Sequence, residues 1–281
     1  MARKLQGQVA IITGASSGIG RATALAFARE GVQLVLAARR EERLREVAAA
    51  IEAMGVGSLV VPTDVAVERT VGIMIEEAIA RFGRIDILVN NAGYGLFAAV
   101  EETTTEALSR IMQVNFMGAF YATKAVLPIM QRQRRGHIIN VSSVVGRRGL
   151  PFSGAYCATK SAMIAFSESL RLELVGTGIN VSVVCPAGTA TEFFDVAETK
   201  LPQRSRPIGP VQSAERVAQA IVEVARRPRP EIMTYKPARL LAVLNALAPR
   251  AVDWGIRKMM EKARNRAAQT DRVGAARARS S

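Results

Sequence analysis

The chain has 281 residues, 49% of them apolar, enough for one large α/β domain with a substantial core. Two cysteines (Cys157 and Cys185) and a single histidine (His137, at the start of an apolar run and read as structural) exclude a disulfide framework, a Cys/His metal cluster and most histidine-based mechanisms. The net charge of +14 is unevenly placed, with 14 Lys+Arg against 4 Asp+Glu in residues 226–281 and a near balance before them.

In chain order, the first apolar run, near 8–13, is too short for a secretory leader, and no run approaches the ~18 apolar residues of a membrane span. The cysteine usage and the lack of a leader fit a cytoplasmic, reducing setting. The turn Thr13-Gly14-Ala15-Ser16-Ser17-Gly18-Ile19-Gly20 follows this strand and opens a helix predicted over 18–30. Its glycines suit a phosphate turn: Gly14 for the tight bend, Gly18 for close backbone approach, Gly20 for helix–sheet packing. The helix start then offers free N–H groups and a positive dipole end to a pyrophosphate.

The second strand, near 32–37, runs into Ala38-Arg39-Arg40 where an NAD-preferring site places a carboxylate. A guanidinium binds a 2′-phosphate with paired hydrogen bonds, so Arg39 and Arg40 point to NADP(H). The competing reading pairs them with Glu41 or Glu42. Helices are predicted near 41–54, 67–82, 104–134, 154–175 and 214–226, and further strands near 58–62, 85–90, 137–142, 179–185 and 231–235. Strands rich in Val, Ile and Leu without polar alternation suit a parallel sheet buried on both faces. The alternation with helices predicts a Rossmann-type, doubly wound α/β fold of about seven strands in a single domain over 1–236.

Tyr156 and Lys160 stand four residues apart at the start of the helix near 154–175, on one face and one turn apart. A nearby ammonium favours phenolate, which predicts a tyrosine pKa drawn down from ~10 and a side chain able to exchange a proton with an oxygen. Ser143 lies thirteen residues upstream. The segment 192–212, with Phe193, Phe194 and three prolines, reads as a substrate-loop excursion with room for a short helix, either a lid or a disordered connector. After it, 237–281 forms a helical extension. Residues 237–248 are apolar nearly all round, a pattern that requires cover by the domain, a partner subunit or lipid. A basic helix follows to about 267, and 274–281 read as frayed. The basic tail suits a solvated face or interface rim, an acidic lipid surface in a peripheral membrane contact, or, least well, nucleic acid, since stacking aromatics are not interleaved with the charge.

Taken together, these motifs resemble the short-chain dehydrogenase/reductases, over about Gly7 to Tyr235. Thr13 to Gly20 is similar to the family's cofactor turn. Asp64-Val65 resembles the pair that contacts adenine, and Asn90-Asn91-Ala92-Gly93 the motif lying against the cofactor. Asn115 matches the family's helix asparagine, and the spacing to Tyr156 selects Ser143 over Ser142. Pro186-Ala-Gly188-Thr189-Ala-Thr191 departs from the family pattern, with Ala187 for a glycine and Thr189 for an aliphatic, while Thr191 keeps its place. The basic residue that some NADP-dependent members carry before the second glycine is Ser17 here.

The resemblance implies hydride transfer between NADP(H) and a carbonyl or secondary alcohol. Tyr156 would exchange the proton, Lys160 would lower its pKa and hold the nicotinamide ribose, Ser143 would donate to the substrate oxygen, and Asn115 would fix a water linking Lys160 to solvent. It also implies a homo-dimer or tetramer built on the helices near 104–134 and 154–175. Tyr94, Leu96, Phe97, Leu150, Phe152, Phe193 and Phe194 would rim an apolar pocket, or in part pack the core. The alternative function is a catalytically silent NADP-binding regulator or scaffold.

Overall fold

A computed structural model describes residues 4–200 and 211–261. The chain divides into two compact units, Met1–Tyr235 and Lys236–Ser281.

The first unit opens with β1 (Val9–Thr13), α1 (Gly18–Ala28), β2 (Gln33–Ala38), α2 (Glu41–Glu52), β3 (Ser58–Pro62), α3 (Glu68–Phe82) and β4 (Ile87–Asn90). A two-residue β5 (Leu96–Phe97), α4 (Thr105–Met112), α5 (Gly118–Gln133), β6 (Gly136–Val141), α6 (Gly154–Glu173) and β7 (Ile179–Cys185) follow. Short β8 (Thr189–Ala190), β9 (Glu198–Thr199) and β10 (Gln212–Ser213) precede α7 (Ala214–Arg226) and β11 (Glu231–Met233). Seven strands make one sheet in the order β11-β7-β6-β4-β1-β2-β3, and every pairing is parallel. This is the expected Rossmann-type arrangement, with β1 flanked by β2 on one side and β4 on the other. The connections diverge at that point, and in sheets of this kind ligands bind beyond the carboxyl ends of the strands there, β1 and β4 in this chain.

The central strands are buried on both faces, which explains their unbroken apolar runs. α1, α2 and α7 cover one face, with Phe27, Leu44, Ile51, Val217 and Ile221 in its core. α3, α5 and α6 cover the other, around Ile11, Leu88, Met74, Val126 and Leu170.

One expectation needs correction. The helix predicted over 104–134 is broken: α4 and α5 are joined by a π-helical turn, Gln113–Met117. The apolar pattern continues through the turn, so periodicity alone does not reveal it. The turn carries Asn115, fully buried, and such local widenings recur at functional sites. Within the described part of the excursion over 192–212, Glu192–Phe194 forms a 3₁₀ turn, β9 pairs with β5, and β10 pairs with β8. Pro202, Arg204, Arg206, Pro207 and Pro210 lie outside the described residues, as do 262–281.

The second unit contains α8 (Lys236–Leu247) and a helical stretch over residues 249–261. No residue of α8 is buried.

Gly20 sits where α1 meets the first turn. A Cβ there would collide with the Gly14 carbonyl and come within 2.7 Å of Asn91 Nδ2. Gly20→Ala is therefore expected to cost about 1–3 kcal/mol, as overpacking of a tight contact does, and to lower the melting temperature by several degrees. A thermal melt of the variant that overlays the parent would contradict this packing.

Candidate active site

The site forms where β1, β4, β6 and β7 end. The turn after β1 bends at Gly14 with φ +68°, a left-handed conformation that suits glycine. A Cβ at Gly14 would stand 2.9 Å from Ala92 Cα, and one at Gly18 would stand 3.1 Å from the Thr191 side chain. The turn is thus a cradle that side chains would fill. Ile19 is partly buried against the core beneath it.

The segment after β4 is stitched to this turn. Thr13 Oγ1 accepts from the backbone N–H of Asn91 and Ala92 at 3.0 and 3.1 Å, and Asn91 Nδ2 donates to the Thr13 carbonyl at 2.9 Å. Gly93 passes so close to the interior that a Cβ would lie 3.0 Å from Asn115 Oδ1 and 3.6 Å from Lys160 Nζ.

Arg40 reaches over the turn from the end of β2. Its guanidinium donates to Ser17 Oγ at 2.9 Å and Ser16 Oγ at 3.5 Å. Its partner is neither Glu41 nor Glu42 but Glu192, 152 residues away, which accepts from both terminal nitrogens at 3.2 Å. Arg39 is exposed. Of the two expected arginines, the fold brings one to the serines. Asp64 turns its carboxylate to its own backbone, accepting from Ala66 N at 3.0 Å, and Val65 packs on Gly118.

Asn115, on the π turn, clamps the loop after Gly93. Its Oδ1 accepts from Tyr94 N, and its Nδ2 donates to the Tyr94 carbonyl, both at 2.9 Å, and to Thr159 Oγ1 at 3.2 Å. Ser142 is buried with its hydroxyl on the Lys160 carbonyl at 2.8 Å. Ser143 heads a short 3₁₀ turn, Val144–Gly146. Its hydroxyl meets the Pro186 carbonyl at 3.3 Å and shares a hydrogen bond with Tyr156. Gly188 accepts from Gln212 N at 2.8 Å, Thr189 donates to the Ala187 carbonyl at 2.9 Å, and Thr191 caps the turn Glu192–Phe194. These contacts order the strand-end loop after β7, and the Thr191 side chain lies beside Gly18 of the cradle.

Tyr156 and Lys160 occupy the first two turns of α6. Lys160 is buried, and its Nζ donates to the Val141 carbonyl at 2.9 Å, standing 5.8 Å from the Tyr156 ring centroid. Burial lowers the amine to about 8. Burial also raises the Tyr156 hydroxyl well above its ordinary range, opposed by the hydrogen bond from Ser143. Tyr156 as a whole residue is half-buried. The expected draw of an ammonium toward phenolate is therefore not found. Burial disfavours the charged form of each group, and the amine is directed at a backbone carbonyl. The arrangement holds a neutral phenol.

Aromatic rings cover this phenol. Phe193 lies 5.4 Å and Phe97 6.3 Å from the Tyr156 ring, and Phe194 stacks on Phe97 at 6.0 Å. Tyr94 and Leu96 pack beneath, whereas Phe152 is exposed with φ +60°. Two features escaped the sequence reading. Glu192 carries no signal for its distant partner. Asn90 and Asn140 pair inside the sheet at 2.8 Å, and a polar residue closing an apolar strand was a sign that could have been used.

A family profile described as short chain dehydrogenase matches residues 8–201. A short-chain dehydrogenase/reductase from Burkholderia phymatum, solved in complex with NAD, superposes with a TM-score of 0.81 at 30% identity, covering 89% of this chain and 96% of that one. An alcohol dehydrogenase from Thermococcus sibiricus, complexed with 5-hydroxy-NADP, gives 0.71 at 30% identity over 80% and 95%. The Drosophila melanogaster dehydrogenase/reductase SDR family protein 7-like is 34% identical, covering 93% of this chain and 83% of that protein. With the parallel sheet, the glycine cradle and a match over most of its length, the chain belongs to the short-chain dehydrogenase/reductase family.

Proposed function

We propose that the chain is an NADP-dependent reductase of apolar ketones or aldehydes, working in either direction between carbonyl and secondary alcohol. The observation that carries this reading is the convergence of Ser143, Tyr156 and Lys160 at the strand ends, under an aromatic cover and beside the glycine cradle.

The cradle suits a dinucleotide. Its glycines leave room for a pyrophosphate at the start of α1, and Ser16, Ser17 and Arg40 gather hydroxyl and guanidinium donors beside it. Asp64 and Val65 would flank the adenine, and Asn91, Ala92 and Gly93 would back the nicotinamide half. Pro186, Gly188, Thr189 and Thr191 would close the far side. When bound, the nicotinamide supplies or accepts the hydride.

The rest of the chemistry falls to this chain's own side chains. Tyr156, neutral in its buried place, donates its hydroxyl proton to the carbonyl oxygen as negative charge grows there, and recovers it in the reverse direction. Ser143 supplies a second donor to the same oxygen, preorganised by its 3₁₀ turn. Lys160 keeps its amine on the Val141 carbonyl one turn from Tyr156, positive below about pH 8, and would hold the nicotinamide ribose. Asn115 fixes the backbone around Tyr94 and Gly93, so that the floor of the site does not shift. Phe97, Phe193 and Phe194 exclude water and favour an apolar substrate. An assembly through α5 and α6 is supported by the edge-on rings of Phe116, Phe120 and Phe166, which remain partly exposed.

A screen of NADPH oxidation across ketones and aldehydes of graded size tests the reading, with turnover expected on bulky apolar carbonyls. Tyr156→Phe keeps the ring and removes the proton, so kcat is expected to fall roughly 10²–10⁴-fold with cofactor binding kept. Near-parental turnover in that variant would remove Tyr156 from its role.

The NADP preference rests on Arg40. Loss of its charge-assisted bonds in Arg40→Gln is expected to raise the KM for NADPH about 10–100-fold and leave that for NADH unchanged. Glu192 competes with a 2′-phosphate for the same guanidinium, so Glu192→Gln is expected to lower the KM for NADPH. Equal effects of Arg40→Gln on both cofactors would refute the preference.

A further inference from the structure

Apart from the site, the described residues contain an apolar surface that the reductase reading does not use. In α8, Leu240, Val243, Leu244 and Leu247 recur at the spacing of one helical face, and they are 62%, 50%, 45% and 79% exposed. Leu241 borders the same stripe and is also exposed. The helix has no charged residue after Arg239, and its only two, Lys236 and Arg239, are basic. Arg250, Trp254 and Arg257 then follow at helical spacing in residues 249–261, with Lys258 beside them. Trp254 is exposed between the two arginines, and Val252 and Ile256 occupy the buried side.

We propose that residues 236–261 are a docking surface for an anionic phospholipid bilayer. Its twelve-residue helix is far too short to span, and among the described residues no helix is long and apolar enough to cross a membrane. A helix of this length with an exposed leucine face fits the interfacial plane, apolar side down. Charge selects the occupant. From residue 236 on, the sequence carries 11 Lys+Arg against 3 Asp+Glu, so two copies of it repel each other while an acidic leaflet attracts it. Trp254 among arginines matches the residue types that settle at headgroup level. Nucleic acid would use the same charge but would have no use for the leucine stripe.

Flotation of the full chain with vesicles tests this, independently of turnover on a soluble ketone. The chain is expected to float with phosphatidylcholine–phosphatidylglycerol vesicles at low salt, and to lose most of that binding with pure phosphatidylcholine or in high salt. The sole tryptophan is expected to shift its emission to the blue on the same vesicles. Leu240→Asp/Leu244→Asp is expected to abolish flotation, and Arg250→Gln/Arg257→Gln/Lys258→Gln to weaken it roughly 100-fold, both with ketone reduction unchanged.

Three outcomes would overturn the proposal. One is no flotation of the parent at low salt. Another is undiminished flotation of the leucine variant. The third is flotation of the parent as strong with pure phosphatidylcholine as with vesicles that contain phosphatidylglycerol.

Discussion

The amine of Lys160, given to the carbonyl of Val141, joins the helix that carries Tyr156 to the strand that leads into Ser143. The bond is buried, and without it a backbone carbonyl at the end of β6 and a long cationic side chain would both be stranded. Its presence sets the depth of α6 against the sheet, and hence the position of the phenol one turn earlier. Ser142 reinforces the junction from the other side by bonding the Lys160 carbonyl. Neighbouring serines thus divide the work: one fixes the helix, and its successor faces the phenol.

Around this junction the polar groups are stitched rather than scattered. Asn90 bonds Asn140 across two strands, and Asn140 bonds Ser167 on α6 at 2.7 Å. Asn115 ties the loop after β4 to α6 through Thr159. Such buried polar chains specify one arrangement, because any slip leaves donors without partners. They also account for a rigid floor under a site whose cover, the Phe193–Phe194 turn, is held by exposed contacts such as Arg40–Glu192. An exposed ion pair of this kind contributes little, so the polar tie on the cover is weaker than the buried bonds of the floor.

Most of the fold was legible because the strands are continuous Val/Ile/Leu runs and the turns are marked by glycine. β7 and α7 fall on their expected residues for that reason. The π turn was illegible because its apolar spacing mimics a continuous helix. The tyrosine's electrostatics were misread for a different reason. Sequence spacing gives the distance between Tyr156 and Lys160 along the helix, but neither the burial of both groups nor the carbonyl that takes the amine. The 152-residue gap between Arg40 and Glu192 is of the same kind, since only the folded chain brings β2 beside the turn after β8.

Chemical unfolding of the parent and of Lys160→Met, side by side from pH 7 to 11, tests the central junction most directly. An amine lowered to about 8 in the folded chain, from its ordinary 10.5, leaves the folded state with fewer bound protons than the unfolded state between those values. Stability of the parent relative to the variant should therefore rise with pH across that window, by about 3 kcal/mol in all. A difference that stays flat from pH 7 to 11 would mean that Lys160 titrates as it does in water, and that it is not buried on the Val141 carbonyl.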